Sequence, residues 1–133
     1  MLMISPDQEL FDCIMIASQD YGFETYDHLP LETENASYPF VEIGDIQQLN
    51  LPNKTALGAR FIVNLNVWGD NEMRLDVSQM SDCLSSLANH VLLTDHYRFV
   101  GRPGQTDKQI LNDTSVENTV LKHGILTLVF DLE

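Results

Sequence analysis

Positive charge is scarce in this chain of 133 residues, which has seven Lys and Arg against 20 Asp and Glu and a formal net charge of −13. The scarcity is greatest in residues 1–53, which hold ten acidic side chains and no Lys or Arg. Proteins bind the phosphate backbone through clustered Lys and Arg that displace counterions. The composition therefore argues against specific nucleic-acid binding, although DNA could pass along such an acidic surface without adhering to it.

Cysteines and long apolar runs are also few. Cys13 and Cys83 lack Cys-x-x-Cys spacing and lie in amphipathic patterns, which predicts small buried side chains in a reducing cytosol rather than a disulfide or a metal site. No apolar run approaches the roughly 18 residues of a membrane-spanning helix. The mass of 15.1 kDa fits one domain over residues 1–133, large enough to bury a core without disulfides or a structural metal.

Motifs of catalysis are missing as well. The sequence contains neither G-x-G-x-x-G nor G-x-x-x-x-G-K-[ST], so nucleotide phosphates have no evident binding loop. None of the four histidines has the spacing of a metal site: His28, His90, His96 and His123. We therefore predict no catalytic, cofactor-binding or metal-binding residues and a protein that is not an enzyme. One alternative stays open, in which a closed pocket joins Asp27, His28 and His123 around a small ligand or for acid–base catalysis.

The first half of the sequence predicts one helix and three strands. Ser5-Pro6-Asp7-Gln8 is typical of a capping box, and apolar residues follow at helical spacing until Gly22. Residues 23–28 are a short mixed run, which is the first of the three predicted strands. Residues 38–43 predict a strand that Gly44 stops, and residues 45–56 predict a polar, protruding loop. From Leu57 to Trp68 apolar residues alternate strictly, which predicts a long strand with one face in the core.

The second half predicts a helix followed by three strands. Apolar residues recur at helical spacing from Met73 to about Leu93. Residues 97–100, 108–111 and 124–132 are typical of strands. The resulting order α-β-β-β-α-β-β-β predicts an α+β fold, with an antiparallel or mixed sheet and two main helices packed on one face.

Several short motifs occur in an ordered series. They are Tyr26-Asp27-x-x-Pro30, the strand from Tyr38 to Gly44, the Val67-Trp68 pair that ends the long strand, and Lys122-His123-Gly124 before the last strand. In order, spacing and total length the series resembles the tail-completion proteins (tail terminator or tail-to-head joining proteins) of long-tailed bacteriophages. The likeness extends over nearly the whole chain. It departs from the family pattern in the unusually long loop between Leu29 and Tyr38 and in the absence of Lys and Arg from the first 53 residues.

The resemblance implies a non-enzymatic virion protein of an active phage or a prophage. It implies a subunit of a homohexameric ring that caps the finished tail tube, stops its polymerisation and contacts a head connector or stopper protein. Such a protein would reside in the virion at the head–tail interface, and in the bacterial cytoplasm during assembly, with DNA passing through the ring. A head-completion adaptor, a minor tail protein and a general interaction module remain alternatives.

The sequence also indicates where partners would bind and how charge would affect assembly. The candidate interface residues are Tyr26, Asp27, Pro30, Tyr38, Leu51, Trp68, Gln105 and Lys108. Copies of so acidic a chain repel each other, so we expect self-association to strengthen with ionic strength. We further expect the acidic first half to line the lumen or the rim of the ring.

Overall fold

The computed structural model describes residues 4–31, 34, 36–51 and 58–133. In chain order its elements are α1 (Pro6–Asp20), β1 (Thr25–Tyr26), β2 (Phe40–Leu51), β3 (Gly58–Gly69), α2 (Arg74–Ser85), β4 (Val91–Leu93), β5 (Arg98–Gly101), β6 (Asp107–Asp113) and β7 (Leu121–Leu132). Two short 3-10 helices lie at Ser86–Asn89 and Pro103–Gln105. The α+β class is confirmed, and β4 is a strand that the sequence did not predict.

The strands form one mixed sheet in the order β1-β2-β3-β7-β5-β4. The pair β1–β2 is parallel, and the other pairs are antiparallel. Strand β7 pairs along β3 on one side, while its other side pairs with β6 near the start and with β5 near the end. β7 is therefore the central strand on which both halves of the chain meet.

The core lies on one face of this sheet, which we call the inner face. Alternate residues of β3, among them Phe61, Val63 and Leu65, are fully buried there. They belong to the same hydrophobic cluster as Leu10 of α1 and Val77 of α2. Both helices thus contribute side chains to the core on the inner face. The opposite, outer face carries the other residues of β3, which are partly exposed: Arg60, Ile62, Asn64, Asn66 and Trp68.

Strand β2 is longer than predicted, and the expectation that Gly44 stops it is wrong. The strand continues to Leu51, and its register against β3 shifts between Ile43 and Ile46. Two residues of β2 there face one residue of β3, which is a β-bulge. Gly44 is accommodated as one of the two bulged residues, and the β2–β3 pairing continues from Ile46 to Leu51. Residues 45–51, predicted as loop, are therefore strand, whereas residues 52–57 lie outside the described part of the chain.

Helix α2 is shorter than predicted. It ends at Ser85, and the chain continues as a 3-10 turn in which Leu87 and Ala88 stay buried. Residues 91–93 then pair with β5 instead of extending the helix. Apolar spacing alone does not separate an α-helix from a short 3-10 continuation, because both place residues i and i+3 on the same side.

Helix α1 begins where predicted, with Pro6 in its first turn, but without the predicted capping box. Ser5 makes no side-chain capping hydrogen bond. The Gln8 side chain instead donates to Asp12 Oδ1 at 2.9 Å. After the helix, Gly22 adopts a φ of 91°, a left-handed conformation that glycine permits.

The two cysteines are unpaired and half-buried, less buried than predicted. Burial raises the pKa of the Cys13 thiol, so the thiol stays protonated and unreactive near neutral pH. Among the described residues, no helix combines the length and the apolar character needed to span a bilayer.

Candidate functional site

The sequence motifs converge at one end of the outer face. Phe40 of β2 lies opposite Trp68 of β3, and Trp68 lies opposite His123 of β7. The Trp68 and His123 rings stack with centroids 3.7 Å apart. Tyr38 stacks on Phe40 at 5.3 Å, and Tyr26 meets Phe40 edge-on at 5.5 Å. Residues from four separate motifs therefore build one aromatic cluster across four strands and the segment before β2.

Polar side chains fix the orientation of this cluster. The indole N–H of Trp68 donates to Glu42 Oε1 at 3.2 Å. His123 Nε2 lies 2.8 Å from Asn66 Oδ1, and its Nδ1 lies 3.4 Å from Asp113 Oδ2. Hydrogen bonds to neighbouring side chains on the sheet thus hold both the Trp68 indole and the His123 imidazole in fixed orientations.

An apolar cavity of about 360 Å³ opens beside the cluster. We call it the Trp68 pocket. It lies between the segment before β2 and the segment that connects β6 to β7. Its lining residues are Leu29, Pro30, Leu31, Ala36, Tyr38, Phe40, Trp68, Ser115, Val116 and Leu121. Phe40 and Leu121 form a buried floor, whereas Leu31 is 67% exposed. An apolar cavity with exposed large side chains at its mouth is typical of a site that binds a partner.

Three carboxylates accept hydrogen bonds from residues that line the pocket. Glu34 accepts a hydrogen bond from the Leu31 N–H at 3.2 Å. Asp113 Oδ1 accepts from Ser115 Oγ at 2.5 Å and from the Ser115 N–H at 2.9 Å. With Glu42 on Trp68, three carboxylates lie just behind the pocket wall. No Lys or Arg is among the described lining residues, so the pocket has an apolar interior with an acidic surround.

The geometry does not favour the catalytic alternative. His28 is an exposed side chain whose two ring nitrogens contact Asp27 and Glu34, and its hydrogen bonds to these carboxylates raise its pKa. His123 is held between Asn66 and Asp113. None of Asp27, His28 and His123 lines the Trp68 pocket. Among the described residues, no group of three metal-ligating side chains occurs.

The protonation of His123 gives the site a measurable property. Burial lowers the pKa of His123, and the charges of Asp113 and Glu42 offset this only in part. Because the folded-state pKa lies below the unfolded value of about 6.5, stability falls as pH drops below that value. We expect Trp68 fluorescence to fall in the same acid range, since a protonated imidazole in contact with an indole quenches it.

This titration can be measured directly because Trp68 is the only tryptophan. Emission recorded from pH 8 to pH 4 should show a step below 6.5 that disappears in His123→Gln. His28→Gln, an exposed histidine outside the Trp68 stack, should leave the step unchanged. A step that survives in His123→Gln, or one centred above 6.5, would contradict this account.

The other predicted interface residues lie in three places. Asp27 contacts His28 next to the aromatic cluster. Leu51 pairs with Gly58 at the far end of the β2–β3 hairpin. Gln105 is also at that far end, where its Oε1 lies 3.4 Å from Arg60 Nη1. Lys108 pairs with Asp82 of α2 on the helix side of the sheet. The structure thus brings together Tyr26, Pro30, Tyr38 and Trp68 and separates Leu51, Gln105 and Lys108 from them.

Basic side chains collect at the end of the outer face opposite the Trp68 pocket. Arg60 Nε lies 2.8 Å from Asp131 Oδ1, and Arg102 Nε lies 3.4 Å from Asp131 Oδ2. Hydrogen bonding to Arg60 lowers the pKa of Asp131. Because Arg60 and Trp68 are eight residues apart on β3, the two ends are separated by about 26 Å along an extended strand. The outer face therefore carries an acidic aromatic end and a basic end.

The sequence did not identify Glu42, Asn66, Asp113 and Leu121 as members of the site. Their membership follows from strand register. Glu42 lies on the same face of β2 as Phe40, but its position beside Trp68 follows only from the pairing of β2 with β3. Leu121 and Asp113 face each other across the β6–β7 pair. Without this register, four polar and apolar residues spread over the chain show no common pattern.

Comparison with known proteins gives a likeness of fold alone. No protein-family model matches the sequence, and no curated protein matches it. Among solved structures, the chain is similar to a chain of the virion of a native gene transfer agent (GTA) particle. The likeness has a TM-score of 0.62 at 16% sequence identity and covers 97% of this chain and 95% of that chain. The whole α+β fold is therefore shared with a component of a virion.

Proposed function

We propose that this protein is a non-enzymatic virion structural protein, a subunit of a ring that ends a phage tail tube and joins the tail to the head. The observation that carries the proposal is the likeness over almost the full length of both chains to a chain of a gene transfer agent virion. The order of the Tyr38–Gly44, Val67-Trp68 and His123-Gly124 motifs supports the narrower role of a tail terminator. The proposed partners are further copies of the chain, the tail tube protein and a head connector.

The edge of β2 offers a means of ring formation. On the side away from β3, β1 covers only Val41 and Glu42. In the described part of the chain, residues 46–51 therefore expose unpaired backbone groups on that side. A free edge of this kind can pair with a strand of a neighbouring copy. Repetition of one such heterologous contact closes a ring when the rotation between neighbours permits it.

Binding to purified tails tests the proposal. The protein is incubated with isolated tail tubes that lack their terminal protein and, separately, with DNA-filled heads, and bound material is recovered by sedimentation. A terminator should bind the end of the tube, appear there as a ring in electron micrographs and stop further polymerisation of tube protein. Binding to heads with no effect on tube growth would support a head-completion adaptor instead, and binding to neither would overturn the proposal.

Salt dependence gives a separate prediction for self-association. Each subunit carries a formal charge of −13, so like charges oppose assembly at low ionic strength. The Debye length falls from about 30 Å at 0.01 M salt to about 8 Å at 0.15 M. We expect sedimentation velocity to show a monomer in low salt and a larger species as salt rises. A ring that dissociates as salt increases would contradict this charge argument.

The acidic first half of the chain suggests how the ring would meet DNA. Helix α1 carries Asp12 and Asp20 as exposed side chains and has no basic residue in its last turn. We propose that the acidic side chains of residues 1–53 face the lumen or the rim, where they would keep DNA from adhering. A ring structure in which these carboxylates lie on the outer circumference would refute this placement.

A further inference from the structure

We propose that the Trp68 pocket binds a segment of another protein in which a bulky aliphatic side chain is flanked by Lys or Arg. The aliphatic side chain would enter the apolar cavity, and the flanking cations would face the carboxylates behind its wall. This inference rests on the chemistry of the pocket and does not depend on ring formation or on the tail-terminator role.

The apolar part of the argument comes from the lining. The cavity of about 360 Å³ has Phe40 and Leu121 as its floor, exposed only 4% and 3%. At its mouth, Leu29, Leu31 and Val116 are 53%, 67% and 44% exposed. Burying exposed aliphatic groups against one inserted side chain is favourable because it removes apolar surface from water. The volume lies near the lower end of the range of ligand-binding pockets, about 300–1,000 Å³.

The ionic part of the argument comes from the carboxylates. Glu34, Glu42 and Asp113 each bond to a lining residue, at Leu31, Trp68 and Ser115 respectively. Hydrogen bonds from His28 and Ser115 lower the pKa values of Glu34 and Asp113, so both are ionised at neutral pH. The aromatic rings of Tyr38 and Trp68 in the pocket lining add a second attraction for a guanidinium or an ammonium group.

The charges of the chain indicate that the occupant is a different protein. Six of the seven Lys and Arg lie in the described part of the chain. Five of these six already contact an oxygen of their own chain: Arg60, Arg98, Arg102, Lys108 and Lys122. A second copy thus brings few available cations and a net charge of −13. A basic segment of another protein complements the pocket in both charge and shape.

The single tryptophan makes the test direct, because its indole N–H gives one assigned signal in a ¹⁵N-correlated NMR spectrum. The probes are three capped synthetic tripeptides: Arg-Leu-Arg, Arg-Gly-Arg and Glu-Leu-Glu. We expect Arg-Leu-Arg to shift the Trp68 signal saturably. Arg-Gly-Arg should bind at least about tenfold more weakly, because it lacks the apolar side chain. Glu-Leu-Glu should cause no saturable shift, and the response to Arg-Leu-Arg should weaken with salt.

Matched variants separate the pocket from the general acidity of the protein. Glu42→Gln keeps an oxygen for the Trp68 hydrogen bond but removes the charge, and it should weaken Arg-Leu-Arg binding by about fivefold. Asp12→Asn removes one charge from an exposed position on α1 and should leave the affinity unchanged. Equal effects of both variants, equal binding of Glu-Leu-Glu, or no saturable shift would overturn the proposal. A Trp68 shift that depends on protein concentration alone would assign the pocket to a second copy and would also overturn it.

Discussion

Gly101→Ala is expected to destabilise the fold by more than about 3 kcal/mol, at or beyond the upper end of the usual cost of overpacking. Gly101 ends β5 and lies against the 3-10 turn after α2. A methyl group on it would overlap the carbonyl oxygen and carbon of Ala88 and lie 2.8 Å from Ala88 Cα. These atoms belong to the backbone of a buried residue, so no side-chain rotation removes the overlap. The Gly101 N–H also donates to His90 O at 2.9 Å, which ties the two segments together.

Gly104→Ala is the matched control, because an added methyl group at Gly104 meets nothing within 4 Å. Urea unfolding followed by Trp68 fluorescence should place Gly104→Ala within about 0.5 kcal/mol of the parent protein. Gly101→Ala should unfold at much lower urea or accumulate in insoluble form while Gly104→Ala stays soluble. Equal unfolding midpoints for the two variants would show that β5 and the 3-10 turn are not packed as described.

The parts of the fold that the sequence predicts well are those with a strong local pattern. The alternation in β3 corresponds to a buried inner face, with Phe61, Val63 and Leu65 inaccessible to water. The errors occur where tertiary pairing overrides local preference. β2 runs past Gly44 because β3 supplies a partner for residues 46–51 through a bulge. β4 forms because β5 lies beside it, although residues 91–93 continue the helical spacing of α2.

The candidate site is predictable only in part. Trp68, Tyr38 and Pro30 stand out in the sequence as aromatic or turn residues in ordered motifs, and they do share one pocket. Glu42 and Asp113 do not stand out, because an acidic residue in an acidic chain carries no signal of its own. Their role appears only when the register places Glu42 beside Trp68 and Asp113 beside His123. Local sequence pattern therefore identifies the aromatic and proline residues of the pocket, whereas strand pairing is needed to identify the carboxylates beside them.

The two residues of the His123-Gly124 motif lie on opposite faces of the sheet. His123 points to the outer face, where it stacks on Trp68. Gly124, the next residue, points to the inner face, where α2 passes closely over the sheet. A methyl group on Gly124 would lie 2.6 Å from Ser81 Oγ and 3.2 Å from Val77 Cγ1. Gly69, on the neighbouring strand, is similarly close to Val77. The two glycines thus let α2 approach the strands that hold the Trp68–His123 stack.

Gly124→Val is therefore expected to cost about 3 kcal/mol of stability, because the branched side chain would push α2 away from β7. Valine has a higher β-strand propensity than glycine, on a scale that spans about 1 kcal/mol. A loss of stability would therefore show that there is no space for the side chain between β7 and α2. Thr127→Val, on the outer face of the same strand, should change stability by less than about 1 kcal/mol.

Ser81→Ala tests the contact from the helix side. Ser81 Oγ is buried without a hydrogen-bond partner among the described residues, so its removal alone should be neutral or stabilising. In Gly124→Val it should restore part of the lost stability, with a coupling of about 0.5–3 kcal/mol for two side chains in contact. Urea unfolding of the two single variants and the double variant measures this coupling. Strict additivity would mean that α2 does not lie over Gly124, and that the stack on the outer face is positioned without support from the helix.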